Sequence, residues 1–353
     1  MDRIEKANQL HQLLDLHVLS KFKTNPSGLF DEKVGLAFTY LVLSHSAQLQ
    51  ELKDLGTSIL DQCIDEFNKS TEEQSYKDVQ NLSIVIAILK NVNAIVEEVE
   101  DSLFEFDNFV KEHWKNLSLE RAGGWNTMLY IFYLVYRAHT GKAHKYHQVL
   151  SEIMEDLLVK LDLMLYRYKQ GLIVSVFRLQ KDLQTLFTVV CLCKYHDRTE
   201  EILSYKIEEK IKNSRIVEYI QENWNDLTSY YQALTMILFD DISSNDKWQV
   251  IHLKKFTNHS ELILFLFAKN VSDSLNCNHN IPQFIYDEGI SKLCKLKKQW
   301  SRDAESIDVS QMTLTFLLST TSLSINTEIS LLTHIYNCVN KDFGVATFEQ
   351  KGS

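Results

Sequence analysis

The residues of this chain best suited to chemistry are a few histidines and cysteines near apolar segments. His334 and Cys338 are four residues apart and would share one face of a helix. His259, Cys277 and His279 lie in or near turns. Because imidazole and thiolate are zinc ligands, these five residues are candidates for a metal site. A lone His and Cys on an apolar helix are usually core residues, and we favour that interpretation.

Acidic side chains offer a second chemistry. Glycoside hydrolysis needs two carboxyl groups about 5 to 10 Å apart. The carboxylates that precede or begin apolar segments are Asp31, Glu32, Asp182, Glu261 and Glu328. Their pairing cannot be read from the sequence, so a glycan-processing enzyme built on a ring of helices is kept as an alternative.

Hydrophobic spacing predicts that helices position these residues. One stripe recurs every four positions, with Leu60 and Ile64 alongside; it consists of Leu55, Ile59, Cys63 and Phe67. Residues 149–161 repeat this one-sided design and leave Glu152, Glu155 and Asp156 to water. By contrast, residues 126–138 are almost entirely aromatic or aliphatic, so that helix must be covered on every side.

A turn followed by an apolar helix recurs along the chain. The first example spans residues 27–38, and related segments begin near Asn81, Gly123, Gly171, Asn258 and Asn326. Fully covered helices that alternate with one-sided helices are typical of an inner ring wrapped by an outer ring. We therefore predict an all-α chain, an α/α toroid of about six or seven helix-pair repeats. With only 2 prolines and no linker-like stretch, one domain over residues 1–353 is expected.

Three stretches resemble a known family. They are residues 28–37 (GLFDEKVGLA), residues 124–130 (GWNTMLY) with 136–141 (YRAHTG), and residues 329–337 (ISLLTHIYN). In these stretches the chain is similar to the lanthionine synthetase C-like proteins, the cyclases of lanthipeptide biosynthesis. The resemblance implies a double-layered α/α toroid with a zinc ion in its central cavity.

The resemblance also implies where zinc ligands should be. Family cyclases use a cysteine from a W-C-x-G turn in the fifth repeat and a Cys-His pair from a C-H-G turn in the last. Counted along this sequence, those turns fall near residues 255–258 (KFTN) and 326–328 (NTE). Neither supplies the expected ligand. Zinc would stabilise the attacking substrate thiolate, so we expect no activity as a zinc-dependent cyclase and no bound cofactor.

The function expected from this pattern is a pseudoenzyme. It would bind peptides, or act as a scaffold, in the maturation of ribosomally made modified peptides. Its partners would be a peptide substrate or peptide-maturation proteins. The alternative is an active cyclase whose zinc is held by shifted ligands, drawn from His259, Cys277, His279, His334 and Cys338.

If the ring binds a peptide, the starts of the inner helices should line the site, because helix starts present free backbone N–H groups. The expected lining residues are Asp31, Glu32, Gly124, Trp125, Asn126, Asn258, His259, Asn326, Thr327 and Glu328. Acids are prominent among them, so a cationic peptide is the expected ligand.

Charge and hydropathy exclude some classes of protein. The formal net charge of −10 argues against a nucleic-acid binder, since phosphate binding needs a basic surface. The longest apolar runs fall short of the roughly 18 residues that a membrane-spanning helix requires. The charged start, Met1 to Lys6, lacks the apolar core of a secretion signal, so a cytoplasmic location is expected.

Overall fold

The protein is described from a computed structural model. It covers residues 30–47, 49–69, 76–91, 93–95, 107–108, 125–139, 147–196, 202–239, 259–275, 288, 291, 327 and 329–335. The regular secondary structure in these ranges is all helical, with no β-strand, which confirms the predicted all-α class for this part of the chain. Within them, no helix combines the length and the apolar character needed to cross a membrane.

The helices fall into two compact units. Residues 1–112 with 294–325 form the first unit, and residues 113–293 with 326–353 form the second. In the first unit the helices are α1 (Phe30–Ala47), α2 (Gln50–Lys69) and α3 (Tyr76–Asn91). In the second they are α4 (Trp125–His139), α5 (His147–Lys169), α6 (Val176–His196), α7 (Ile202–Lys212), α8 (Ile216–Glu222), α9 (Ser229–Leu238) and α10 (His259–Ser274). Residues 329–335 of the second unit are also helical.

In the first unit, α1 packs against α2 and α3. The close approach of α1 and α2 depends on Gly56, because a Cβ atom built there would lie 2.8 Å from Cγ of Leu41 and 3.1 Å from Cβ of Tyr40. On the same pair of helices the Lys33 side chain is buried and forms an ion pair with Glu66. A charged residue on a covered helix thus receives its partner from the neighbouring one-sided helix.

From α4 to α7 of the second unit, covered and one-sided helices alternate. The sequence predicted that α4 is covered all round, and Met128 and residues 131–138 are buried. Helix α6 is buried over most of its length and packs against α4, α7 and α9, and α9 in turn packs against α10. Helix α5 is one-sided, as its spacing predicts: Ile153, Met154 and Leu157 are buried, whereas Glu152 and Glu155 are exposed.

The turn between α5 and α6 is fixed by backbone chemistry. Gly171 has φ of +65°, a left-handed conformation that glycine adopts without a Cβ penalty. Its N–H bonds to the carbonyl of Tyr168, and the N–H of Leu172 bonds to the carbonyl of Arg167, which is the Schellman pattern that ends a helix. Ser175 then caps α6 by accepting a hydrogen bond from the Arg178 N–H at 3.3 Å.

Candidate functional site

The starts of two buried helices of the second unit, α9 and α10, come together. The Thr228 hydroxyl, one residue before α9, donates a hydrogen bond to the Glu261 carboxylate in the first turn of α10 at 3.4 Å. The Tyr231 hydroxyl, in the first turn of α9, donates to Oε1 of Gln184 on α6 at 3.4 Å. The first contact joins the N-terminal ends of α9 and α10, and the second places the start of α9 beside the middle of α6, since Gln184 is the ninth residue of that helix.

Glu261 is the acidic group of this site. Its side chain is 5% exposed, and it lies in the first turn of α10, where the helix dipole favours a negative charge. Thr228 occupies the N-cap position of α9, but its hydroxyl makes no capping hydrogen bond and turns to Glu261 instead. At a functional site we expect residues whose side chains bond to a neighbouring helix instead of making the usual capping hydrogen bond.

Asp182, a second carboxylate near the start of α6, is engaged in holding the unit together. It is 2% exposed and accepts a hydrogen bond from the Tyr168 hydroxyl at 2.7 Å. Arg178 Nε lies 3.1 Å from its Oδ1, and Arg167 Nη1 lies 3.6 Å from its Oδ2. Burial and the adjacent carboxylate raise the pKa of Tyr168 well above its usual range, so the phenol remains a donor. This network leaves Asp182 poorly placed to act as an acid or base on a glycan.

The structure places several of the other predicted residues at helix starts. Asp31 and Glu32 lie in the first turn of α1, Trp125 and Asn126 begin α4, and His259 is the first residue of α10. Thr327 is helical and half-buried. Gly124, Asn258, Asn326 and Glu328 lie outside the described residues. Glu261 and His259 thus share one helix start beside the start of α9.

Of the predicted alternative metal ligands, His334 is described with its side chain. It is 0% exposed, and burial lowers its pKa to about 3, so the imidazole is neutral at pH 7. Its ring contacts the Phe187 ring edge to face, with centroids 5.2 Å apart. Cys277, His279 and Cys338 lie outside the described residues. Where side chains are described, no group of three or more His, Cys, Asp or Glu residues is placed to hold a metal ion.

The sequence did not single out Gln184, Thr228 or Tyr231. Thr228 and Tyr231 were missed because α9, a covered helix of 10 residues, was not among the turn-then-helix segments recognised in the sequence. Thr228 was the available signal, since a threonine directly before an apolar run is a common N-cap.

Comparison with known proteins adds no assignment: no family model, no curated protein and no solved structure matches this chain.

Proposed function

We propose that the chain is a lanthionine synthetase C-like α/α toroid that has lost the catalytic zinc site and binds a cationic peptide at the starts of its inner helices. The single observation that carries the proposal is the meeting of the starts of α9 and α10, held by the Thr228–Glu261 hydrogen bond. Support for a ring comes from the alternation of covered and one-sided helices and from the row in which α4, α6, α9 and α10 pack in succession.

The family's zinc motifs are assigned to repeats by number, and α9 was not counted as a repeat when the motifs were placed from the sequence. Within the described ranges the covered helices are, in chain order, α1, α3, α4, α6, α9, α10 and residues 329–335. Among these described helices the fifth is α9, and the turn before it reads Trp224-Asn225-Asp226-Leu227. The sixth is α10, which begins at Asn258-His259-Ser260.

These two turns match the family's zinc motifs better than the turns expected from the sequence alone. Residues 224–227 keep the tryptophan of W-C-x-G and have Asn225 in place of its cysteine. Residues 258–260 keep the histidine of C-H-G and have Asn258 in place of its cysteine, although they lie one covered helix before the last repeat, where the family has that turn. Two amides and one imidazole do not fit a tetrahedral zinc site that needs two thiolates.

A site without the metal still has groups that can bind a peptide. Backbone N–H groups at the helix starts can pair with peptide carbonyl oxygens, and the buried Glu261 carboxylate can pair with a lysine or arginine side chain. Charge-assisted hydrogen bonds of this kind are worth about 1.5–3 kcal/mol, which is about a 10- to 100-fold effect on affinity. A cationic peptide is therefore the preferred class of ligand.

Fluorescence anisotropy with three labelled peptides of one length, carrying lysine, glutamine or glutamate at the same positions, tests this proposal. We expect the lysine peptide to bind tightest and Glu261→Gln to weaken it about tenfold or more. Glu222→Gln, an exposed glutamate at the end of α8, is the matched control and should change nothing. Preference for the glutamine or glutamate peptide, or equal losses in both variants, would count against the proposal.

A further inference from the structure

One face of α5 exposes apolar side chains that a one-sided helix would normally bury. Val159, Leu163 and Tyr166 are 57%, 60% and 55% exposed, although the opposite face of the same helix is packed in the core. The exposed face continues at one end to Glu155 and at the other to Lys169, both exposed. An apolar stripe of this length in a soluble fold marks a contact surface.

The spacing along this face is that of a helix-pairing seam. Glu155, Val159, Asp162, Tyr166 and Lys169 follow one another at intervals of four, three, four and three residues, a heptad repeat. Leu163 lies beside the seam. We call these six residues the α5 stripe. It extends over 15 residues, or about 21 Å of helix from first to last Cα.

Charge is ordered along the α5 stripe: acidic at its start, apolar in its middle and basic at its end. Glu155 and Lys169 have no ion-pair partner among the described residues. Asp162 at the centre is neutralised within its own chain, since its Oδ2 lies 3.4 Å from Nζ of Lys210 on α7. A surface with opposite charges at its two ends is complementary to itself when turned end over end.

We propose that the α5 stripe is a homodimer interface, in which α5 packs antiparallel against α5 of a second copy about a two-fold axis near Asp162. Residues whose numbers add to about 324 then face each other. Glu155 meets the second copy's Lys169, Val159 lies opposite Tyr166, and both pairs occur twice by symmetry. Lys210 from each chain balances the two central Asp162 carboxylates.

The shape of the surface favours a protein over a lipid bilayer. A cavity of about 150 Å³ opens along the stripe between α5 and the end of α7, lined by Val159, Leu163, Tyr166 and Lys210. A bilayer surface cannot enter such a cavity, whereas a side chain of a facing helix can. A stable dimer buries about 800 Å² per partner, more than one helix face supplies, so we expect a weak dimer with Kd of about 10 µM.

Charge reversal on the full-length chain tests the interface. Sedimentation equilibrium over a range of concentrations gives the dimer constant. We expect Glu155→Lys and Lys169→Glu each to weaken the dimer about tenfold or more, because each creates two like-charge contacts across the axis. The double variant Glu155→Lys with Lys169→Glu should restore wild-type affinity to within about threefold, because the pairs re-form with opposite sign.

Two controls distinguish the interface from general effects. Lys212→Glu, an exposed lysine on α7 outside the stripe, should leave the dimer constant unchanged. Leu163→Asp should dissociate the dimer while the circular dichroism melt stays at the wild-type temperature, because Leu163 is exposed within one chain. A wild-type chain that is monomeric at about 100 µM would overturn the proposal. So would single reversals that have no effect, or a monomer whose stripe instead binds anionic vesicles or an acidic amphipathic peptide in a Lys169-dependent way.

Discussion

Asp182 and His334 are two buried ionisable residues of the second unit, and the fold treats them in opposite ways. Asp182 lies among two guanidinium groups and a phenol, which favour its charged form. His334 packs edge to face on Phe187, and burial keeps it neutral down to low pH. Both contact regions include α6. The contrast teaches that a residue type does not reveal its role here, because its partners come from distant positions in the sequence.

Of the substitutions considered, removing the charge of Asp182 should reduce the stability of the folded chain most. Asp182→Asn leaves two arginines facing a neutral amide, and loss of one partner of a buried ion pair costs about 3–5 kcal/mol. Because both arginines are partly exposed, water offsets part of this cost, and we expect the free energy of unfolding measured with urea to fall by about 3 kcal/mol. Asp156→Asn, which breaks the partly exposed pair with Lys160, should cost less than about 0.5 kcal/mol. Similar losses in the two variants would contradict the role given to Asp182.

The neutral state of His334 predicts a dependence of stability on pH. The unfolded chain takes up a proton on this histidine below about pH 6.5, whereas the folded chain does so only near pH 3. Stability therefore falls as pH falls through this window, by about 2 kcal/mol between pH 7 and pH 5.

We expect His334→Leu to remove the loss of about 2 kcal/mol that this histidine causes between pH 7 and pH 5. Urea unfolding of the wild type and the variant at the two pH values measures it. His45→Leu, a change at an exposed histidine, should keep the full pH dependence. If both variants lose stability on acidification as the wild type does, His334 is not the neutral group described above.

The phenol of the Asp182 network gives a smaller effect. Tyr168→Phe removes the hydrogen bond to Asp182 but keeps the ring, which packs edge on against Tyr219 with centroids 5.5 Å apart. We expect a loss of about 1–2 kcal/mol, the cost of leaving a buried charged acceptor one donor short. Thermal unfolding of the wild type and the variant measures this loss. Tyr205→Phe, a change at an exposed tyrosine of α7, is the control and should leave the stability unchanged. A neutral Tyr168→Phe would mean that the arginines alone satisfy Asp182.

The turn that brings Tyr168 towards Asp182 should tolerate substitution best. Gly171 has open space around a built Cβ, so Gly171→Ala costs only the left-handed backbone conformation, about 1 kcal/mol. Gly171→Asn should cost less, because asparagine accepts that conformation more readily. Thermal unfolding of the two variants compares them directly. A greater loss for asparagine than for alanine would indicate a steric cause instead.

The sequence predicted correctly whether a helix is buried on all sides or on one side where the spacing of its apolar residues alone decides this. The covered α4 and the one-sided α5 follow directly from their apolar patterns. In α2 the predicted stripe is confirmed in part: Cys63 and Leu60 are buried, Leu55 and Ile59 are half-buried, and Leu52 and Gly56 are buried as well. A hydrophobicity pattern does not count glycine as a contact residue, yet the missing side chain of Gly56 is what lets α1 approach.

The candidate site was harder to predict than the helices. Glu261 and Asp182 were recognised as candidate carboxylates, but their partners were not. Thr228 is 33 residues from Glu261, and Tyr231 is 47 residues from Gln184. Contacts at such separations depend on how helices pack, which the periodicity of one helix does not contain.

The zinc content of the wild type and of a variant with Asn225→Cys and Asn258→Cys tests whether the chain is a lanthionine synthetase C-like toroid that has lost its zinc ligands. Both proteins would be purified with a tag that binds no metal and measured by elemental analysis after equilibration with zinc. The account predicts no bound zinc in the wild type and about one zinc per chain in the variant, because two thiolates would join His259. A variant with Asn223→Cys and Asn258→Cys is the matched control and should gain none. About one tightly held zinc in the wild type, or no gain in the first variant, would contradict the account.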